Sequence, residues 1–140
     1  MSDVHVAIVD FDLIEGVWPM VEPMLRMATD TSGGRYDTLT VLQDICNGKS
    51  SLWAVWTEAD GVLAGFTTTI VDYPLTRRLS IPFLGGNGFL EHLDAVDDAV
   101  TQYAKAHGCT GIEVIGRRGW QRALKRIGFD YSFTSICKEF

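Results

Sequence analysis

Apolar residues recur at helical spacing near the end of the chain. Four of them stand three or four residues apart and form one stripe of a helix: Trp120, Ala123, Leu124 and Ile127. Gly128 is placed to end this helix in a left-handed cap. Residues 110–116 and 130–138 predict a strand before the helix and a last strand after it.

The first helix of the chain is predicted to follow a strand over residues 4–9. Asp12 and Glu15 have the spacing of a capping box. The apolar face behind it consists of Ile14, Val17, Trp18, Val21 and Leu25. Proline removes a backbone donor and clashes with the preceding turn, so Pro19 and Pro23 predict a kink or a new start at Pro19.

A second helix is predicted over residues 36–46, with Leu39, Leu42 and Ile45 directed inward. Residues 51–58 and 62–71 then read as strands because they are rich in aromatic and β-branched residues. They flank Ala59-Asp60-Gly61, a strong hairpin signal. Both faces of the first of these strands are apolar, which places it inside a covered sheet.

The third strand of this meander is predicted over residues 78–84, followed by a glycine-rich turn at 85–88. Apolar spacing predicts a long helix over residues 90–107, ended by Gly108. The complete order is strand, two helices, three-strand meander, helix, strand, helix, strand. We therefore expect an α/β fold.

Composition indicates one domain over residues 1–140. With 46% hydrophobic and 21% charged residues, the chain can bury one core but is too short for two ordinary domains. A net charge of −6 argues against a nucleic-acid partner. Three widely spaced cysteines suit reduced thiols in the cytoplasm, and no spacing indicates a metal site. We expect neither a signal peptide nor a membrane segment.

This order of elements resembles that of the GCN5-related N-acetyltransferases (GNAT), over nearly the whole chain. Residues 53–65 are similar to the family's central hairpin, and Gly128-Phe129 lies at the family's distance from the C-terminal end. The helix start Gly116-Arg-Arg-Gly-Trp120 looks most like the short, divergent members that tailed phages encode. The resemblance implies a mixed sheet with helices on both faces, and acetyl transfer from acetyl-CoA to an amine.

The resemblance also implies where coenzyme A binds. In the family, backbone N–H groups of a glycine-rich loop and the positive end of the next helix hold the pyrophosphate. Here the loop is shorter and lacks the family's leading Arg or Gln. The residues implied to contact acetyl-CoA are Phe83, Leu84, Gly85, Gly86, Asn87, Gly88 and Phe89. The alternative is a plain turn in which glycine supplies positive φ without a ligand.

For this loop we expect Gly86→Leu to abolish coenzyme A binding with little change in melting temperature. The family separates its fourth and fifth strands so that free backbone groups can pair with the pantetheine arm. Pro82 fits a strand edge that is left unpaired, although it removes one donor. A bulge would decide whether Ile81, Phe83 or Leu84 offers the remaining N–H.

Candidate catalytic residues are few. The family's acid is often a tyrosine four residues before Gly-Phe, and Leu124 stands there in this chain. Glu113, in the middle of a strand, is the candidate general base, and its alternative is an ordinary solvent-facing charge. Asp72 and Tyr73 are the candidate substrate-binding residues, and their alternative is to shape the turn before Pro74.

Two functions remain open from the sequence. One is an N-acyltransferase acting on a small-molecule or protein amine. The other is a catalytically inactive binding or virion-associated phage protein of the same fold. Trp120 is expected to be buried against the sheet and to serve stability. Trp18 with the nearby methionines fits either an inward helix face or a homodimer contact.

Overall fold

A computed structural model describes residues 3–115, 118–130, 132 and 136–140. The strands in this part of the chain are β1 (Val4–Ile8), β2 (Ser51–Thr57), β3 (Gly61–Asp72), β4 (Arg77–Ile81), β5 (Leu84–Gly86) and β6 (Gly111–Val114). The helices are α1 (Ile14–Thr29), α2 (Thr38–Cys46), α3 (Leu93–Ala106) and α4 (Arg118–Lys125). The last strand expected over residues 130–138 includes 131 and 133–135, which lie outside those described, and the described residues of this range are not in a strand.

The sheet is mixed, as expected from the sequence. Its strand order is β1-β2-β3-β4-β6, and β5 pairs with β3 as well. β4 and β5 therefore line the same edge of the long strand β3, one after the other. β6 runs parallel to β4, and the other pairs are antiparallel. The α/β architecture predicted from the sequence is confirmed.

Helices cover both faces of the sheet. On the face that we call the α1–α2 face, Val21 and Leu25 of α1 pack with Ile45 of α2 and Leu52 of β2. On the opposite face, the α3–α4 face, apolar residues of α3 and Leu124 of α4 pack on Trp53 and Phe66. β2 is buried on both sides, which agrees with its unbroken apolar sequence.

Helix α1 runs through both of its prolines, so the alternative of a new start at Pro19 is wrong. Pro19 and Pro23 lie on the exposed side, and the carbonyls that they leave without an N–H partner belong to the exposed residues Glu15 and Pro19. Water can serve those carbonyls, which lowers the cost of each proline. The capping box is also wrong, because Asp12 lies in a 3₁₀ turn and the N-cap is Leu13 without a side-chain bond.

A true capping box begins α2. The Asp37 carboxylate accepts from the Thr40 N–H at 2.9 Å, and the Thr40 hydroxyl accepts from the Asp37 N–H at 3.2 Å. With this start, Val41 and Ile45 face the sheet, while Leu39 is 61% exposed. The expected inward orientation of Leu39 is therefore wrong.

Helix α3 begins at Leu93, three residues later than predicted, and Leu90 before it is 61% exposed. Gly108 follows its C-cap with a φ of 74°, as a left-handed stop requires. Among the described residues, no helix combines the length and the apolar composition needed to cross a membrane.

Candidate active site

The predicted third meander strand is interrupted in the structure. Thr69 of β3 pairs with Ser80, whereas Phe66 pairs with Leu84. Three steps along β3 thus match four steps along the neighbouring chain, so one extra residue is accommodated between β4 and β5. Ile81 and Pro82 occupy this bulge opposite Thr68, where the missing N–H of proline interrupts no ladder bond.

The bulge directs backbone donors away from β3. Thr67 donates its N–H to the Phe83 carbonyl at 2.9 Å, and Asn87 donates to the Leu63 carbonyl at 3.0 Å. Since bonded and non-bonded pairs alternate in an antiparallel ladder, the N–H groups of Leu84 and Gly86 point away from β3.

Those donors face a gap in the sheet. The ladder between β4 and β6 ends where Ile115 donates its N–H to the Ile81 carbonyl at 3.2 Å. Beyond that point, β5 has no strand on its second edge within the described residues. We call this gap the strand opening. It is a place where an extended ligand can pair with backbone, as β-strand addition requires.

Gly85 and Gly86 are needed for packing rather than for loop flexibility. A Cβ at Gly85 would stand 2.2 Å from the Met24 carbonyl oxygen of α1, and one at Gly86 2.5 Å from the Leu63 carbonyl oxygen. Gly86 also has a φ of 127°, which L side chains rarely adopt. The expectation that Gly86→Leu leaves the melting temperature unchanged is therefore wrong, because the leucine would collide with β3.

A different part of the predicted loop offers open amides. In the described chain, the N–H groups of Gly88, Phe89, Leu90 and Glu91 have no protein acceptor. They lead directly into the first turn of α3, whose N–H groups are also unpaired by helix geometry. Such an array, with Gly88 at a φ of 79°, has the form of an anion-binding nest.

The charges around this nest oppose an anion. A cavity of about 200 Å³ lies between the start of α3 and α4, with Glu91 and Asp94 on one side and Arg126 on the other. Two carboxylates thus face one guanidinium. The amide geometry fits a diphosphate, and the charge lowers the affinity expected for it. Phe83 and Phe89 do not form a cradle with their side chains, because each packs into an apolar cluster.

Glu113 lies on the α1–α2 face of β6, half-buried. Strand register places it beside Ser80 of β4, and Ser80 beside Thr69 of β3. The Thr69 hydroxyl in turn lies 2.9 Å from that of Ser50. A row of polar side chains therefore crosses the α1–α2 face of the sheet from Glu113 through Ser80 and Thr69 to Ser50. It crosses β4 at Ser80, just before the bulge.

Tyr73 reaches Glu113 from the end of β3. Its hydroxyl lies 3.0 Å from each carboxylate oxygen and donates to the carboxylate. This hydrogen bond, burial and the nearby negative charge raise the pKa of the Tyr73 phenol above its ordinary value. The structure thus joins two of the predicted site residues. It separates Asp72 from them, because that carboxylate binds Arg77 at 2.6 Å.

Leu124, which stands where the family often has its tyrosine acid, lies in an apolar environment. Leu124 is 8% exposed and belongs to the core of the α3–α4 face. Trp120 is half-buried and meets the Phe89 ring edge to face, 5.1 Å between centroids. The sequence prediction that Trp120 packs toward the sheet agrees with this contact, although the ring is not fully buried.

Sequence reasoning missed the hydroxyl row and Arg78 on the same face. No local signal marks Thr69 or Ser80, because their proximity to Glu113 depends on β4 pairing with β6 across a helix. The described residues contain no group of three or more His, Cys, Asp or Glu side chains arranged to hold a metal ion.

By sequence, no protein-family model matches the chain, and neither does any curated protein sequence. By structure, it matches a tetramutant of the BH1408 protein from Bacillus halodurans, with a TM-score of 0.73 and 13% identity over 97% of this chain and 99% of that one. It also matches glucosamine-6-phosphate N-acetyltransferase from Arabidopsis thaliana, with a TM-score of 0.69 and 12% identity over 99% of each chain.

A GNAT family acetyltransferase from Staphylococcus aureus covers 100% of this chain with a TM-score of 0.64 and 14% identity. Identities this low establish shape rather than activity. The chain therefore has the fold of the GNAT acetyltransferases.

Proposed function

We propose that this protein transfers an acyl group from an acyl-coenzyme A thioester to an amine. The observation that carries the proposal is the strand opening with its outward N–H groups, next to the hydrogen-bonded pair of Tyr73 and Glu113. An acyl transfer needs backbone donors for the oxyanion and a base for the amine. Both lie at the same end of β4.

Acetyl-CoA is the proposed co-substrate. The N–H groups of Leu84 and Gly86 are available to the pantetheine arm and to the thioester carbonyl oxygen. The open amides from Gly88 to Glu91 are available to the pyrophosphate, supported by Arg126 across the cavity. Gly85 contributes by letting α1 lie close to β5.

Glu113 is the proposed general base. The amine nitrogen forms a bond to the acyl carbon while the carbon–sulfur bond breaks, and the proton lost by the amine goes to the Glu113 carboxylate. Tyr73, which follows the end of β3, donates a hydrogen bond to that carboxylate. With Leu124 in place of the family's acid, the coenzyme A thiolate leaves without a proton and takes one from water.

The experiment is to incubate the protein with acetyl-CoA and a panel of amines, measuring thiol release and the mass of the N-acetyl product. Glu113→Gln should lower the rate roughly 10²-fold or more at neutral pH, as loss of a general base does. The loss should shrink at high pH, where the amine is already neutral. Glu58→Gln is a matched control, because the Glu58 side chain is exposed and its carboxylate lies as far as 4.0 Å from the His5 ring nitrogen.

Absence of product with every amine overturns the proposed function. Full activity of Glu113→Gln in the presence of product overturns only the role of Glu113. The two results are distinguishable because thiol release reports the reaction regardless of which residue serves as base.

Asp94→Asn tests the cofactor site separately from catalysis. A carboxylate about 6 Å from a phosphate in water costs about 0.7 kcal/mol, so its removal should tighten coenzyme A binding roughly threefold. The gain should fall as salt is added, because the charges are exposed. Calorimetry at two salt concentrations measures both effects, and an unchanged dissociation constant places the pyrophosphate elsewhere.

Two observations favour the alternative of an inactive binding protein with the same fold. The acidic side chains at the start of α3 and the apolar Leu124 remove two aids to catalysis at once. In that case the strand opening serves to bind a partner, and a phage or virion-associated role belongs to this alternative. Coenzyme A binding without any product would favour it.

A further inference from the structure

Arg78 is a cation close to Tyr73, the hydrogen-bond partner of the proposed base, and its charge opposes the rise in the pKa of the Tyr73 phenol. Within the described residues its guanidinium makes no hydrogen bond or ion pair, although the side chain is half-buried. Its neighbour Arg77 differs, because it binds Asp72 and donates to the His107 carbonyl at 3.0 Å.

Gly111 allows Arg78 to lie flat on the sheet. A Cβ at Gly111 would stand 2.4 Å from an Arg78 guanidinium nitrogen and 3.2 Å from its central carbon. Register pairs Arg78 with Gly111 and Ser80 with Glu113 on the same α1–α2 face. The guanidinium therefore rests on β6 two residues before Glu113, about 7 Å along the strand.

Hydroxyl groups complete this surface. Ser80 lies between the two charged positions and is 4% exposed. Thr67, on the same face two residues from Thr69, is 1% exposed, and its hydroxyl is the buried side-chain group that lacks a partner in the described structure. Buried hydroxyls without partners are rare in folded proteins and are commonly satisfied by a ligand or water.

We propose that the acyl acceptor is a small zwitterion, a primary amine with a carboxylate two to four bonds away, as in a free amino acid. This inference rests on the proposed function and names the substrate class for it. The amine lies at Glu113, the carboxylate forms a bidentate pair with Arg78, and Ser80 binds between them. The planar guanidinium group matches a carboxylate in geometry and can donate two parallel hydrogen bonds to it.

The test compares the twenty common amino acids as free acids with the same compounds as primary amides. The amides keep the side chain and lose the negative charge. Because their amines are also less basic, the rates are compared per neutral amine present at the assay pH. In wild type, kcat/KM for the preferred acid should exceed that of its amide roughly tenfold to a hundredfold, as expected for one charge-assisted pair. Arg78→Met should remove this preference by slowing the acid alone.

Arg77→Met is the matched control, because it removes the same charge from the adjacent residue on the opposite face. It should keep the preference for the acid. Equal use of acids and amides by wild type, or equal losses for both in Arg78→Met, overturns the proposal while leaving acyl transfer intact.

A binding measurement keeps the inference testable without turnover. Free amino acids, titrated into the protein without coenzyme A, should shift the backbone amide signals of Ser80 and Glu113 in wild type. Arg78→Met should lose these shifts and Arg77→Met should retain them. If none of the twenty compounds shifts these signals at millimolar concentration, the zwitterion site does not exist, whatever the result of the acyl-transfer assay.

Discussion

Gly85→Ala separates a packing role for this glycine from a role in holding coenzyme A. The new methyl carbon would stand 2.2 Å from the Met24 carbonyl oxygen and 2.9 Å from the carbonyl carbon. Ordinary contacts begin more than 1 Å farther out, so α1 must move as a unit or β5 must leave β3. Neither shift is small, because Leu25, the residue after Met24 in α1, is fully buried.

The expected cost follows from this overlap. Overpacking of a well-packed core costs about 1 to 3 kcal/mol, and a collision with helix backbone belongs at the upper end. A loss of about 3 kcal/mol should lower the melting temperature by roughly 10 °C in a chain of this size. This is a large share of the total stability of a typical domain.

Urea unfolding followed by far-UV circular dichroism measures the change. Gly16→Ala in α1 is the matched control, because a Cβ at Gly16 meets nothing within 4 Å. Alanine is the better helix former, so that variant should gain about 0.5 to 1 kcal/mol. A Gly85→Ala protein with the wild-type urea midpoint, and with lost coenzyme A binding, would refute the packing argument and restore the sequence-based interpretation.

Three further substitutions test the surroundings of the site. Burial and the negative charge of Asp98 raise the pKa of Asp97, so the folded state favours the neutral carboxyl. The free energy of unfolding therefore falls as the pH rises through the range in which Asp97 loses its proton. Asp97→Asn should therefore melt higher than wild type at pH 7, with the gap closing near about pH 3, where both states are protonated. Trp120→Ala should cost about 3 kcal/mol in urea unfolding through its lost contact with Phe89, and a silent change would contradict this. Leu124→Tyr should lose about 1 to 3 kcal/mol without a gain in turnover, since the core was packed for leucine; a faster enzyme would contradict this.

Local patterns were enough to predict most elements of this fold. The aromatic and β-branched runs gave β2 and β3, and Gly61, at a φ of 72°, ends the hairpin turn where the Asp60-Gly61 signal placed it. The helical stripe with Leu93, Val96 and Val100 gave α3. These signals lie within short segments of sequence, so they do not depend on distant contacts.

The errors arose where tertiary context outweighs local preference. The prolines of α1 are tolerated because they point to solvent, and their direction depends on which side of the helix meets the sheet. Leu39 faces outward because the capping box at Asp37 fixes the start of α2 and thereby the direction of every later residue.

The candidate site was less predictable than the fold. Glu113 and Tyr73 were identified separately, but their hydrogen bond joins residues forty positions apart and depends on β6 lying beside β4. Gly85 and Gly86 have the composition of a phosphate loop, yet their lack of side chains serves packing against α1 and β3. Whether a position requires glycine for packing or for ligand binding depends on its neighbours in space, and the sequence alone does not identify those neighbours.

The central claim is that acyl-coenzyme A binds in the strand opening with its pyrophosphate on the amides before α3. The most direct measurement is a coenzyme A titration followed by the backbone amide signals of the ¹⁵N-labelled protein. The account predicts the largest shifts at Leu84, Gly86 and the residues from Gly88 to Glu91, with small shifts on β1. An absence of shifts at millimolar coenzyme A, or shifts confined to another surface, would contradict it.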